Sequence, residues 1–157
     1  KLNHYLSFEG EYSYIILDKE NTLEVLGHEN SLENSELCMK STLGDVKKSI
    51  SSECSVGVMF EGHLVAYSLC YLNEYGVSFI DKCFVSEKHR GNKFQSNMLL
   101  LNLKILKLKN SFVAYSMVSP ANEYSVRNFI DCGFVESKRI DVNGYDRYIL
   151  KNETFSR

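Results

Sequence analysis

Proline is almost absent, since Pro120 is the only one in the chain. There is no repeat, linker or low-complexity tract, so the 157 residues 1–157 read as a single domain. A chain of that length can bury about 70% of its unfolded surface. An excess of positive charge is also missing: the formal net charge is −2. With no basic face to meet a phosphate backbone, nucleic acid is not an expected partner. No apolar run approaches the ~20 residues of a membrane span, and there is no secretory h-region, so no membrane is expected. The five cysteines (Cys38, Cys54, Cys70, Cys83, Cys132) contain no Cys-x-x-Cys pair, and the four histidines are far apart in sequence. This argues against a disulfide framework and against a sequence-local zinc site, and no metal is expected. Reduced thiols in a cytoplasmic protein are the expectation. The chain opens on Lys1 rather than Met, which suggests that an initiator residue or a longer precursor has been removed.

What is present is a regular alternation of elements. Tyr12 to Leu17 is β-rich and suits an opening strand. From Asn21 to Glu53 the leucines and other apolar residues are spaced as in helices, and Gly27 and Gly44 are expected to divide this stretch into two pieces. Val56 to Phe60, Glu61-Gly62, and His63 to Tyr71 read as a hairpin. After a turn at Asn73 to Gly76, a strand is predicted over Val77 to Val85. Phe94, Met98, Leu101, Ile105 and Leu108 then recur at helical spacing along one face. Ser111 to Val118 is the next strand, parallel to the previous one through that helix. Asn122 is a good helix N-cap after Pro120, the helix runs from about Glu123 to Cys132, and Gly133 ends it. Phe134 to Asp141 and Tyr145 to Lys151 form a final hairpin around Asn143-Gly144.

The stretch richest in chemistry is Val85 to Gln95, a strand end, a polar turn with Gly91, and a helix start. Such a layout aims orphan N–H groups and the positive end of a helix dipole at an anion, and Arg90 and Lys93 add charge beside them. No Gly-Lys-Ser/Thr follows, which excludes a Walker A loop, and one glycine does not make a dinucleotide fingerprint. Arg90-Gly91-Asn92-Lys93-Phe94-Gln95 does resemble the acyl-CoA pyrophosphate loop of the GNAT N-acetyltransferase superfamily, Arg/Gln-x-x-Gly-x-Gly/Ala. Lys93 replaces a glycine and Gln95 replaces the small residue. If the loop needs a positive φ at Lys93, strain of roughly 1 kcal/mol follows; otherwise Lys93 sits in the first helical turn. Val118 to Ser125, with Phe129 and Cys132-Gly133-Phe134, resembles the later motif of that family.

The resemblance implies an α/β fold with a mixed central sheet of about seven strands and about four helices, splayed between strands 4 and 5. It implies transfer of an acetyl group from acetyl-CoA to a primary amine by direct attack. The acceptor is a small molecule or a peptide, and homodimerisation through the terminal strands is compatible with the family. By the same resemblance, Phe84 and Val85 hold the pantetheine arm, and Arg90, Gly91, Asn92, Lys93, Phe94 and Gln95 cradle the pyrophosphate. Asn122, Ser125 and Phe129 contribute from the last helix, where Asn122 and Ser125 are equally well read as capping residues. Many members carry a tyrosine seven residues after the Asn as general acid; here that position is Phe129. Tyr124 and Tyr115 are the alternatives. Asp81, four residues before Val85 and hence expected on the same strand face, is the candidate base. Its structural alternative is a partner for Lys82 or Lys88. His89 is expected to be a surface residue of the loop. The rival reading is a non-catalytic acyl-CoA-binding sensor or regulatory module, which Phe129 and Lys93 favour.

Overall fold

The computed structural model describes residues 6–8 and 11–157. The order of elements is β1 (Leu6–Phe8), β2 (Tyr12–Ile16), α1 (Thr22–Asn30), α2 (Leu43–Ser51), β3 (Val56–Phe60), β4 (His63–Leu72), β5 (Val77–Val85), α3 (Phe94–Leu108), β6 (Val113–Val118), α4 (Glu123–Asp131), β7 (Val135–Val142) and β8 (Tyr145–Asn152). One sheet runs β1-β2-β3-β4-β5-β6-β8-β7, and the β5·β6 pair is parallel. The edge strand β1 is one element more than the sequence pattern suggested. The expected fourth and fifth strands are β5 and β6 in chain order. The mixed sheet and the four helices agree with the expected fold class.

Alternation along the strands feeds two helical layers. Val25 of α1 and Val46 and Ile50 of α2 pack with Leu64, Tyr67 and Leu69 of β4 on one face. On the other, Phe94 and Met98 of α3 pack with Val56, Val58 and Ala66, and Leu99, Leu103 and Leu106 meet Phe129, Phe134 and Leu150. Each such side chain contributes about 1.5–3 kcal/mol by leaving water. Asn102, fully buried in α3, fixes the register of that helix on the sheet. It accepts from Ser68 Oγ at 2.6 Å and donates to the Cys54 carbonyl at 2.8 Å.

Two turn assignments hold in detail. Glu61-Gly62 and Asn143-Gly144 both place two successive residues at positive φ, the geometry of a tight hairpin turn. The glycines of the helical region behave differently from the expectation. Gly27 lies inside α1 and Gly44 inside the first turn of α2, and residues 31–42 make the separation instead. Thr42 starts α2 with a capping box, its Oγ1 accepting from Asp45 N–H at 3.2 Å.

The feature that positions the site is the divergence of β5 from β6. Their register covers only Val77–Val113, Ser78–Ala114 and Phe79–Tyr115. Beyond Phe79, β5 keeps a strand partner only on its β4 side. A bulge helps turn it away: Leu69 faces Lys82 and Cys70 faces Ile80, which leaves Asp81 as the extra residue.

Candidate active site

The divergence opens a cleft of about 610 Å³. Its walls come from the 37–41 segment, from Phe79 to Cys83 of β5, from Tyr115 to Val118 of β6, and from Ile149 and Arg147 of β8. Gln95, Asn122, Ser125 and Phe129 close it on the α3–α4 side. Four residues singled out from two distant motifs therefore converge on one space. Gln95 Nε2 donates to Ser125 Oγ at 3.0 Å, and Asn128 Nδ2 donates to Gln95 Oε1 at 2.8 Å. Asn122 caps α4 by accepting from Ser125 N–H at 3.2 Å and also faces the cleft, so the capping and lining roles coexist.

The loop ahead of α3 has a built backbone. Gly91 has φ 85° and Lys93 has φ 59° with ψ 26°, so Lys93 is a left-handed N-cap outside the first helical turn. Of the two readings of Lys93, the strained one holds, at roughly 1–2 kcal/mol for a residue with a Cβ. The first backbone bond of the helix is Asn97 N–H to the Lys93 carbonyl at 3.0 Å, so the N–H groups of Phe94, Gln95 and Ser96 lead the helix. Arg90, Asn92 and Lys93 are exposed around them. Phe94 itself is a core residue, edge-on to Tyr12 with ring centroids 4.8 Å apart, so only its backbone faces the loop. His89 is half-buried rather than a free surface residue. Its Nδ1 lies 2.9 Å from Tyr12 Oη and its ring packs on Phe60, which ties the loop to β2 and β3.

Along β5, Phe84 stacks on Tyr67 at 5.0 Å and packs on His28 at 4.7 Å, while Val85 joins Phe94 and Met98 on the other face. Their side chains are structural, and the cleft wall contributed by β5 runs from Phe79 to Cys83, just short of both. Asp81 lines the cleft, open to it but walled by protein. Burial first, then the neighbouring Asp45 carboxylate, raise its pKa, with Lys82 opposing. Asp81 lies towards α2, so it does not share a face with Val85; the bulge interrupts the alternation on which that expectation rested. Nor does it pair with Lys82. That ammonium, with a side chain 9% exposed, sits 3.7 Å from the fully buried Glu29 and donates to the Met39 carbonyl at 3.0 Å and to Cys38 Sγ.

Glu29 also accepts from Tyr67 Oη and, at 2.6 Å, from Ser41 N–H, so this network anchors the 37–41 wall to the sheet. Burial and the Glu29 carboxylate push the Tyr67 phenol well above its usual range and keep it a neutral donor. Burial likewise pushes the Cys83 thiol up to about 12, which leaves it protonated at neutral pH. Tyr124 projects into solvent, 63% exposed, and is not part of the cleft wall, whereas Tyr115 is. Sequence reasoning missed Glu29, Asp45 and Arg147. The available signal for the network was Lys82, a lysine beside Asp81 in a mostly apolar strand. Among the described residues no cluster of His, Cys, Asp and Glu could hold a metal ion, and no helix is long and apolar enough to cross a membrane.

No family model and no curated protein matches this sequence. Solved structures do. Naa50 of Arabidopsis thaliana, in complex with the bisubstrate analogue CoA-Ac-MVNAL, superposes with a TM-score of 0.76 at 18% identity, over 90% of this chain and 98% of that one. An acetyltransferase of the GNAT family from Streptococcus pneumoniae gives 0.76 at 14% identity, over 90% and 98%. The aminoglycoside acetyltransferase AAC(6')-Ib, in complex with coenzyme A and kanamycin, gives 0.67 at 13% identity, over 92% and 96%. The chain shares the fold of these proteins, and at such identities the likeness is one of fold.

Proposed function

We propose that this chain is an acyl-CoA-dependent N-acyltransferase that moves an acetyl group from acetyl-CoA to a primary amine by direct attack. The observation that carries this reading is the continuity of the cleft. One end lies at the Gln95, Asn122 and Ser125 cluster beside the α3 N-terminus, and the other is walled by the 37–41 segment and β8. A nucleotide-bearing donor and an acceptor can thus meet where β5 and β6 part. Similar proteins whose structures hold coenzyme A or a CoA-containing analogue have this fold, with peptide-like and aminoglycoside acceptors.

The donor supplies an activated thioester; the remaining work belongs to this chain. N–H groups of Phe94 to Ser96, with Arg90 and Lys93, hold the pyrophosphate by charge-assisted hydrogen bonds. The cleft-side backbone of β5 up to Phe84 and Val85 orients the pantetheine arm and polarises the thioester carbonyl. A nitrogen–carbon bond forms and a carbon–sulfur bond breaks, so one proton must leave the amine and one must reach the sulfur. Asp81, its pKa raised by burial, accepts the first directly or through water. Tyr115, on the cleft wall, is positioned as a donor for the second in place of Phe129. A thiolate, with an intrinsic pKa of ~8.5, needs little help.

The test is release of coenzyme A thiol from acetyl-CoA across a panel of amines. Amine-dependent release, lost in Asp81→Asn, is the expected result. Intact acetyl-CoA binding without release for any amine, at any pH between 6 and 9, would favour instead the non-catalytic binding module, for which Phe129 in place of a phenol is the supporting feature.

A further inference from the structure

Arg147 is a buried cation with no counter-ion among the described residues. It is 6% exposed and lines the cleft. Its Nη1 donates to the Asp146 carbonyl at 2.8 Å, and its guanidinium lies 5.5 Å from the Tyr145 ring. The nearest acid in sequence, Asp146, is paired with Arg139 at 2.9 Å. No carboxylate among the described residues lies within ion-pair distance of Arg147, and Arg147 does not figure among the charges acting on Asp81. A guanidinium has five donors, and among the described residues only the Nη1 bond is made; no side-chain nitrogen there is both fully buried and unpaired, so the remaining donors open onto the cleft. A guanidinium confined at the cleft wall with no carboxylate beside it among the described residues is suited to an anion that arrives with a ligand.

Its place in the fold indicates which ligand. β8 pairs with β6 as far as Val118–Tyr148, so Arg147 lies one residue past the last pair, at the end of the cleft where β5 and β6 have parted. It shares a strand face with Ile149, which is opposite Met117. Leu150 of β8 packs on α3, and Arg147 alternates with it onto the opposite face of the strand, so the anion does not belong to phosphates held by the α3 loop. Asp81 and Asp45 carry negative charge on the β5 and α2 side, and Leu37, Phe79, Met117 and Ile149 give the cleft apolar walls.

The geometry points to an acceptor that is an amino carboxylate: an amine directed to Asp81, an apolar body, and a carboxylate received by the Arg147 guanidinium. This inference rests on the acyltransferase reading and names the acceptor class for the same cleft. Two sources share that chemistry, a free amino acid and a peptide N-terminus followed by an acidic residue.

The experiment compares matched acceptors with acetyl-CoA as donor: leucine against leucine amide, and dipeptide amides with aspartate against asparagine in second place. In the wild type the carboxylate member of one pair is favoured about tenfold or more in kcat/KM, as for a charge-assisted bond. The first pair responding identifies a free amino acid, the second a peptide. Arg147→Met, of similar length, brings the ratio near one, and Arg147→Lys retains part of it. The thermal shift given by acetyl-CoA stays at its wild-type value in both variants. Equal use of carboxylate and amide by the wild type, or an unchanged ratio in Arg147→Met, would overturn the assignment. So would acetyl-CoA binding with no carboxylate either acetylated or adding to the thermal shift in the presence of coenzyme A. A wild type that acetyl-CoA does not stabilise at all removes the acyltransferase reading, and this inference with it.

Discussion

Replacing Glu29 by glutamine probes the network that holds the cleft wall in place. The carboxylate is fully buried, takes hydrogen bonds from Tyr67 Oη and Ser41 N–H, and faces the Lys82 ammonium at 3.7 Å. Glutamine keeps the shape but removes the charge, leaving Lys82 with the neutral Met39 carbonyl and the Cys38 sulfur as its hydrogen-bond partners. Breaking a buried pair from one side costs about 3–5 kcal/mol. Because two neutral acceptors remain, the lower end applies, about 3 kcal/mol, or a fall in Tm of roughly 10 °C for a chain of this size. Lys82→Met leaves Glu29 with two good donors and should cost less, about 2 kcal/mol. The pair Glu29→Gln with Lys82→Met removes both charges, so the double variant should recover at least about 1.5 kcal/mol relative to the sum. Urea unfolding of the four proteins measures this cycle. A loss below about 1 kcal/mol for Glu29→Gln, or single effects additive within about 0.5 kcal/mol, would refute the reasoning.

Two further outcomes follow from the site. Lys93→Gly relieves a left-handed residue and should raise stability by about 1 kcal/mol in urea unfolding, while weakening acetyl-CoA binding if its charge faces the phosphates as proposed. Asp81 has a folded pKa above its unfolded one. The folded state therefore binds more protons between those two values, and the Asp81 contribution to stability declines as pH rises from the ordinary carboxylate range through the raised folded value. Asp81→Asn should accordingly raise the urea midpoint at pH 7, with little change at pH 3.

Local chemistry made most of the fold legible. Strand alternation, the Glu61-Gly62 and Asn143-Gly144 turns, and the apolar stripe from Phe94 to Leu108 are all set by near neighbours in sequence. The α3 loop and the Asn122 helix start were readable for the same reason. What escaped depends on contacts between distant segments. Glu29 and Lys82 are separated by α2, β3 and β4, and although Lys82 stands out in a mostly apolar strand, nothing local marks Glu29 as its partner. Arg147 sits in an exposed-looking polar hairpin and becomes buried only because β8 borders the divergence of β5 and β6. Asp81 was placed on the right strand, but its face was misread, since a bulge shifts the period of two that sequence alternation assumes. Gly27 shows the converse: burial of Val25 and Leu26 against the sheet outweighs the ~1 kcal/mol helix penalty of glycine.

The measurement closest to the central claim is thermal unfolding with and without millimolar acetyl-CoA, for the wild type and for Arg90→Ala. A ligand that binds only the native state raises Tm, by about 2.7 kcal/mol of added stability at a hundredfold excess over Kd. A clear rise is expected for the wild type, with its loss or marked reduction when the Arg90 guanidinium is removed from the α3 loop. A well-folded wild type with no rise, or an equal rise in Arg90→Ala, would contradict the assignment of that loop as the acyl-CoA site.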